Sequence, residues 1–143
     1  MPLPGEIYRH DRYYQNAQGE WEAKYLVLFA FTPGQDIIYR LLTSAPHGRP
    51  ENPPCYHGDP YPGYYLGVPG NPLTRPTWVD LRAADDYDSR DFDTDTANGT
   101  LSLIVNLSLP VLCAVLTCVA NAEDTTREQH QALLDQKARL GCP

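Results

Sequence analysis

The sequence has no run of about 18 or more consecutive apolar residues and no basic segment leading into an apolar one near Met1. Neither a membrane-spanning helix nor a signal peptide is therefore expected, no membrane is involved, and a cytoplasmic location is the expectation. It also lacks a Cys-x-x-Cys pair. Its four cysteines, Cys55, Cys113, Cys118 and Cys142, are irregularly spaced and form no dense secreted framework, so reduced and mostly buried thiols are expected. On one helix Cys113 and Cys118 would stand about 140° apart around the axis, too far round to bridge each other. Basic charge is scarce as well. The net charge is −7, with five acids against five bases over residues 1–50 and nine against three over residues 51–100. An acidic chain grips nucleic acid poorly without specific contacts, because Lys and Arg on phosphates supply most non-specific affinity. Internal repeats and low-complexity tracts are missing too, and 143 residues suffice for one domain with one core.

What is present is organised around Lys24 to Ser44, KYLVLFAFTPGQDIIYRLLTS. Two apolar, β-branched and aromatic runs flank Thr32-Pro33-Gly34-Gln35, which reads as a β-hairpin. Pro33 suits the first central turn position and Gly34 the left-handed second position of a type II turn. Tyr25 to Phe31 is apolar on both faces and reads as a central strand. Lys24 opens one arm and Ser44 closes the other, so antiparallel pairing brings both to the same open end. Upstream, Gly5 to Tyr8 reads as a short strand and Asn16 to Gly19 as a turn. Arg9, His10, Arg12, Tyr13 and Tyr14 between them are either a solvated hairpin or an RNA-facing patch of charges and rings.

Eight of the fourteen prolines lie between Ala45 and Pro72, which excludes regular helix there. Residues 45–66 form a long Pro/Tyr-rich loop whose aromatics argue for packing. Cys55, His57 and Asp59 in this loop have metal-ligand chemistry but lack the paired spacing of a zinc module, so no metal and no cofactor are expected. Beyond the loop, Tyr64 to Val68 and Trp78 to Leu81 read as strands. Asp85 to Asp95 reads as a solvated acidic turn; a calcium loop would need Gly and Glu where Thr96 and Ser102 stand. Asn98-Gly99 is a hairpin signal ahead of a strand at Thr100 to Val105. Two helices follow. Ser108 caps the first, apolar to Ala120, and Thr125 with Glu128 forms a capping box for the second, which stops near Gly141. The fold class implied is α+β, an antiparallel sheet with C-terminal helices.

The order PGEIY, KYLVL, RLLTS, TWVDL, GTLSLI and NLSLPVLCAVLTC resembles the layout of the MazF/PemK-like family, the growth-inhibiting endoribonucleases of toxin–antitoxin modules. The resemblance covers most of the chain, residues 1–143 as a single domain with the 45–66 loop as an insertion. It implies a small SH3-like β-barrel, a homodimer, single-stranded RNA as substrate, a cognate antitoxin protein as partner, and metal-independent attack by the ribose 2′-OH. Thr43 and Ser44 match the hydroxyl residues at the end of the family's third strand. The family's catalytic Arg-Pro pair falls on Ala23-Lys24, which leaves Lys24 as the cation.

The chemistry asks for a proton acceptor, a proton donor and cations around the phosphorane. Lys24, Arg40, Thr43 and Ser44 are the catalytic candidates at the hairpin mouth. His47, Arg49, Tyr56 and His57 are the RNA-binding candidates in the loop over it, the histidines being able to move protons near neutral pH. The alternative is a non-catalytic module on the same barrel that recognises a protein or peptide, suggested by the acidic balance and the Tyr- and Pro-rich loop.

Overall fold

The computed structural model describes residues 2–143. Its seven strands are β1 (Glu6–Gln15), β2 (Trp21–Phe31), β3 (Ile37–Thr43), β4 (Cys55–Tyr56), β5 (Gly63–Gly67), β6 (Thr77–Asp80) and β7 (Leu101–Asn106). Its three helices are α1 (Ser89–Ala97), α2 (Leu109–Ala120) and α3 (Arg127–Leu140). All strand pairs are antiparallel, in the order β4-β5-β6-β3-β2-β1-β7. The fold is mixed α+β. Register shifts in β1, β2 and β5 mark bulges, which bend and twist a sheet locally.

Alternation along the hairpin sorts its side chains between two cores. Val27, Phe29, Ile38 and Leu42 join the larger one with Val79, Leu81 and the apolar faces of α2 and α3. Leu26, Leu28, Ile37 and Tyr39 face the other way, against Tyr8, Phe92 of α1 and Leu101. The central strand is thus apolar on both faces because each is covered.

Several local expectations are corrected. Gly34 is not left-handed; Gln35 is, at φ 70°. The chain turns through Gln35 N–H to Thr32 O (2.8 Å) and closes with Thr32 N–H to Asp36 O (2.8 Å), the pattern of a turn followed by one left-handed residue. The acidic stretch is helical rather than a solvated turn. Asp88 caps α1 by accepting from the amides of Arg90 and Asp91, and Phe92 inserts between Tyr8 and Tyr87, so one buried ring anchors an otherwise polar helix. Asn98-Gly99 ends α1 instead of turning a hairpin. The capping box of α3 is Thr126 with Gln129, one residue later than expected, and Gly141 terminates the helix at φ 72°.

The cysteines are the largest correction. Cys55 pairs with Cys118 and Cys113 with Cys142, and among the described residues no cysteine is free. Cys113 and Cys118 stand too far round α2 to bridge each other, and the fold brings each a partner from another segment. The first bond ties β4 to α2 and the second ties α2 to the segment after α3. Disulfides of this kind persist in oxidising compartments. No helix of the described residues is long and apolar enough to cross a membrane.

Candidate functional site

The pairing Leu26 with Leu41 and Val27 with Arg40, carried two residues outward, sets Lys24 opposite Thr43 at the open end of the hairpin. β6 lies on the far side of β3, with Trp78 opposite Thr43, so the segment entering β6 arrives at the same end. The result is a cleft of about 330 Å³ lined by Lys24, Thr43, Ser44, Thr74 and Arg75 over a floor that includes Tyr25, Leu42 and Leu73. The Thr43 hydroxyl accepts the Ala45 amide hydrogen at 3.1 Å, which orients the oxygen and leaves its own hydrogen to donate. Ser44 and Arg75 are exposed, and Lys24 and Thr43 are half-buried. The cleft therefore offers two cations, from Lys24 and Arg75, and several hydroxyls, a donor set suited to an anion such as a phosphodiester.

Arg40 is elsewhere. Three residues from Thr43 along a strand, it points to the opposite face, where it is fully buried under α3. Its guanidinium donates to Tyr39 O at 2.7 Å and reaches Thr125 Oγ1 and Gln129 Oε1 at 3.4 Å each, while Nε has no partner. Burial lowers its pKa, an effect that the charges of Asp86, Asp124 and Asp80 oppose.

The loop residues do not lie over the cleft either. Arg49 is buried and acts as the loop's internal post. Nε donates to Pro62 O and Nη1 to Ala45 O, both at 3.1 Å, and Nη2 lies 3.6 Å from Asp80 Oδ1. Asp80 is shared with Arg82, whose Nη2 is 2.7 Å away. Burial pushes the Asp80 carboxyl up, but the hydrogen bonds and charge of Arg82 and the charge of Arg49 outweigh it and hold it below the usual carboxylate range. His47 stacks on Tyr61 at 4.6 Å between ring centres, and the same tyrosine carries Arg49 and Arg82 against its ring. Tyr56 is half-buried on β4. His57 lies beside the Cys55–Cys118 pair, with Nε2 3.2 Å from Cys55 Sγ and 4.0 Å from Cys118 Sγ. It borders a second cleft, with Asp59, Pro60, Pro62, Arg82, Glu123 and Asp124.

Of the eight candidates, the cleft brings together Lys24, Thr43 and Ser44. Thr74 and Arg75 join them without having been anticipated, because their place depends on β6 pairing with β3, which local sequence does not reveal. The Arg9–Tyr14 segment is divided by the sheet. His10 and Tyr13 pack edge to face, the Tyr13 and Tyr39 hydroxyls meet at 2.7 Å, and the Tyr87 hydroxyl donates to Asp95. Burial lowers the His10 pKa although Asp95, at 4.0 Å, opposes that. Arg12 and Lys24 lie over the outer rings of Trp21 and Tyr14. Compared with protein-family models, curated proteins and solved structures, the chain matches none.

Proposed function

We propose that the cleft at the hairpin mouth holds a phosphodiester of single-stranded RNA and that the chain is a metal-independent endoribonuclease of the MazF/PemK-like type, the toxin of a toxin–antitoxin module. The observation that carries this reading is the meeting of Lys24 with Thr43 and Ser44 in one cleft, completed by Arg75 from the β6 approach. In the reaction the ribose 2′-OH gives its proton to water as it attacks phosphorus, negative charge builds on the non-bridging oxygens, and the bond to the 5′-oxygen breaks as that oxygen takes a proton from water, leaving a 2′,3′-cyclic phosphate and a 5′-hydroxyl. Lys24 and Arg75 offset that charge, and the Thr43 hydroxyl donates to one of those oxygens. Lys24 supplies a point charge where the family has an arginine; the forked grip on phosphate falls to Arg75. The reading takes the bulged sheet as the family's SH3-like barrel, and with it come a homodimer, an antitoxin protein and a cytoplasmic setting, in which the two cysteine pairs would stand reduced.

The second reading, a non-catalytic module on the same fold that binds a protein or peptide, is favoured by one observation: among the described residues no histidine borders the cleft. His47 and His57 are held elsewhere, so no imidazole serves for proton transfer. Induced expression followed by growth and RNA-integrity measurement, together with incubation of purified protein with single-stranded RNA, separates the two. Growth arrest with cleaved RNA that depends on Lys24 and Thr43 is the outcome expected. Intact RNA under conditions where a MazF-type enzyme cuts puts the binding module first.

A further inference from the structure

We propose that, once the Cys55–Cys118 bond is reduced, the protein binds one Zn²⁺ through the thiolates of Cys55 and Cys118 and the imidazole of His57. The three donor atoms lie within 4.8 Å of one another, contributed by β4, the loop just after it and α2. A sulfur and a nitrogen on one tetrahedral zinc stand about 3.6 Å apart, from Zn–S and Zn–N bonds of about 2.3 and 2.05 Å. His57 Nε2 stands 3.2 Å from one sulfur and 4.0 Å from the other, on either side of that value. Opening the bond lets the sulfurs part toward the about 3.8 Å that two zinc-bound thiolates keep. Cys118 is buried on α2, Cys55 is half-buried and His57 is exposed, so the metal would enter from the His57 side. That side is the cleft carrying Asp59, Glu123 and Asp124, whose carboxylates favour a cation, and water fills the fourth position.

The chemistry balances. A dithiol reductant gives two electrons and two protons, becomes a cyclic disulfide, and leaves Cys55 and Cys118 as thiols. Zinc then displaces both thiol protons as it binds the thiolates. The β4 loop is tethered to α2 in either state, by a covalent bond in an oxidising compartment and by the metal in a reducing one. The zinc site and the cleft at the hairpin mouth share no residue.

The test uses the whole chain, reduced with a phosphine, freed of reductant without oxygen, and titrated with Zn²⁺ against a chromophoric chelator and separately with Co²⁺. One metal per chain, a thiolate-to-cobalt charge-transfer band and a raised melting temperature with Zn²⁺ are expected, whereas the oxidised protein takes up none. Replacing one ligand, as in His57→Ala or Cys118→Ser, should weaken zinc by about a hundredfold, one ligand's share of a four-ligand structural site. The Cys113→Ser/Cys142→Ser double variant should bind as the wild type does. His57 is exposed, so His57→Ala retains its fold, which circular dichroism checks. Reduced protein that takes up no stoichiometric metal, that unfolds whether or not zinc is added, or whose affinity survives His57→Ala would overturn the proposal.

Discussion

Replacing Gly63 with Ala tests whether Arg49 is the post on which the proline-rich loop is built. A Cβ at Gly63 would sit 2.5 Å from Arg49 Cδ, 2.8 Å from Nε and 3.2 Å from Val79 O. Gly63 cannot withdraw, because it pairs with Tyr56 on one side and Asp80 on the other. Arg49 must therefore leave, and it is only 4% exposed. Its departure breaks two charge-assisted hydrogen bonds, each worth about 1.5–3 kcal/mol, and water recovers part of that when the guanidinium emerges. A net loss of about 3 kcal/mol follows. For a chain of this size that lowers the melting temperature by about 10 °C, read by calorimetry or a circular dichroism melt. Gly34→Ala is the control, since its Cβ meets only Thr32 Oγ1, at an ordinary 3.8 Å, and its backbone is not left-handed, so its cost should stay within about 0.5 kcal/mol. In an Arg49→Ala background the obstacle is gone, and Gly63→Ala should cost less than about 1 kcal/mol. A Gly63→Ala protein that melts with the wild type, or one equally destabilised with and without Arg49, would refute the reasoning.

If the chain cleaves RNA, Lys24→Ala and Thr43→Val should each lower the cleavage rate by about 10² or more, whereas Arg40→Met, behind the sheet, should leave it within about threefold of wild type in the same gel assay. The Asp80 carboxyl is held below its unfolded value, so its contribution to stability is present above about pH 4 and is lost as pH falls through the folded value. The gap in urea midpoint between wild type and Asp80→Asn should accordingly be widest at pH 7 and shrink in acid; a gap that widens below pH 4 would contradict this. The Cys113–Cys142 bond spans 29 residues, and the Cys113→Ser/Cys142→Ser variant should lose about 3–4 kcal/mol from the freed unfolded chain, measured by denaturant titration under oxidising conditions.

The parts of the fold legible in sequence were those with a local cause. Thr32 to Gln35 marked the hairpin, Pro110 and Gly141 bounded helical stretches, and Tyr25 to Phe31 announced a strand covered on both faces. α1 was missed because its polar run SRDFDTDTA has no apolar stripe. A single buried ring, Phe92, and the Asp88 cap hold it, and neither is visible as periodicity. The cysteine pairs were missed because both are long-range, spanning 63 and 29 residues, and spacing alone cannot choose among such partners.

The site divided along the same line. Lys24, Thr43 and Ser44 follow from the hairpin register alone, and they meet. Arg40 could have been set aside from sequence, because an odd spacing from Thr43 on a strand puts the two on opposite faces, and the position it shares with Ile38 and Leu42 is a core row. The loop residues fail for a different reason. A guanidinium among eight prolines looks like a free cation, yet prolines leave carbonyl groups without neighbouring N–H donors, and the stretch from Ala45 to Pro72, whose only strands are the short β4 and β5, needs something to satisfy them. Arg49 does so at Ala45 and Pro62, and Trp78 Nε1 does so at Pro50, at 3.0 Å. The same side chain cannot also reach a phosphate in the cleft. If the cleft binds an anion, the charge must then come from outside the loop, from Lys24 at the start of the hairpin and from Arg75 on the short approach to β6.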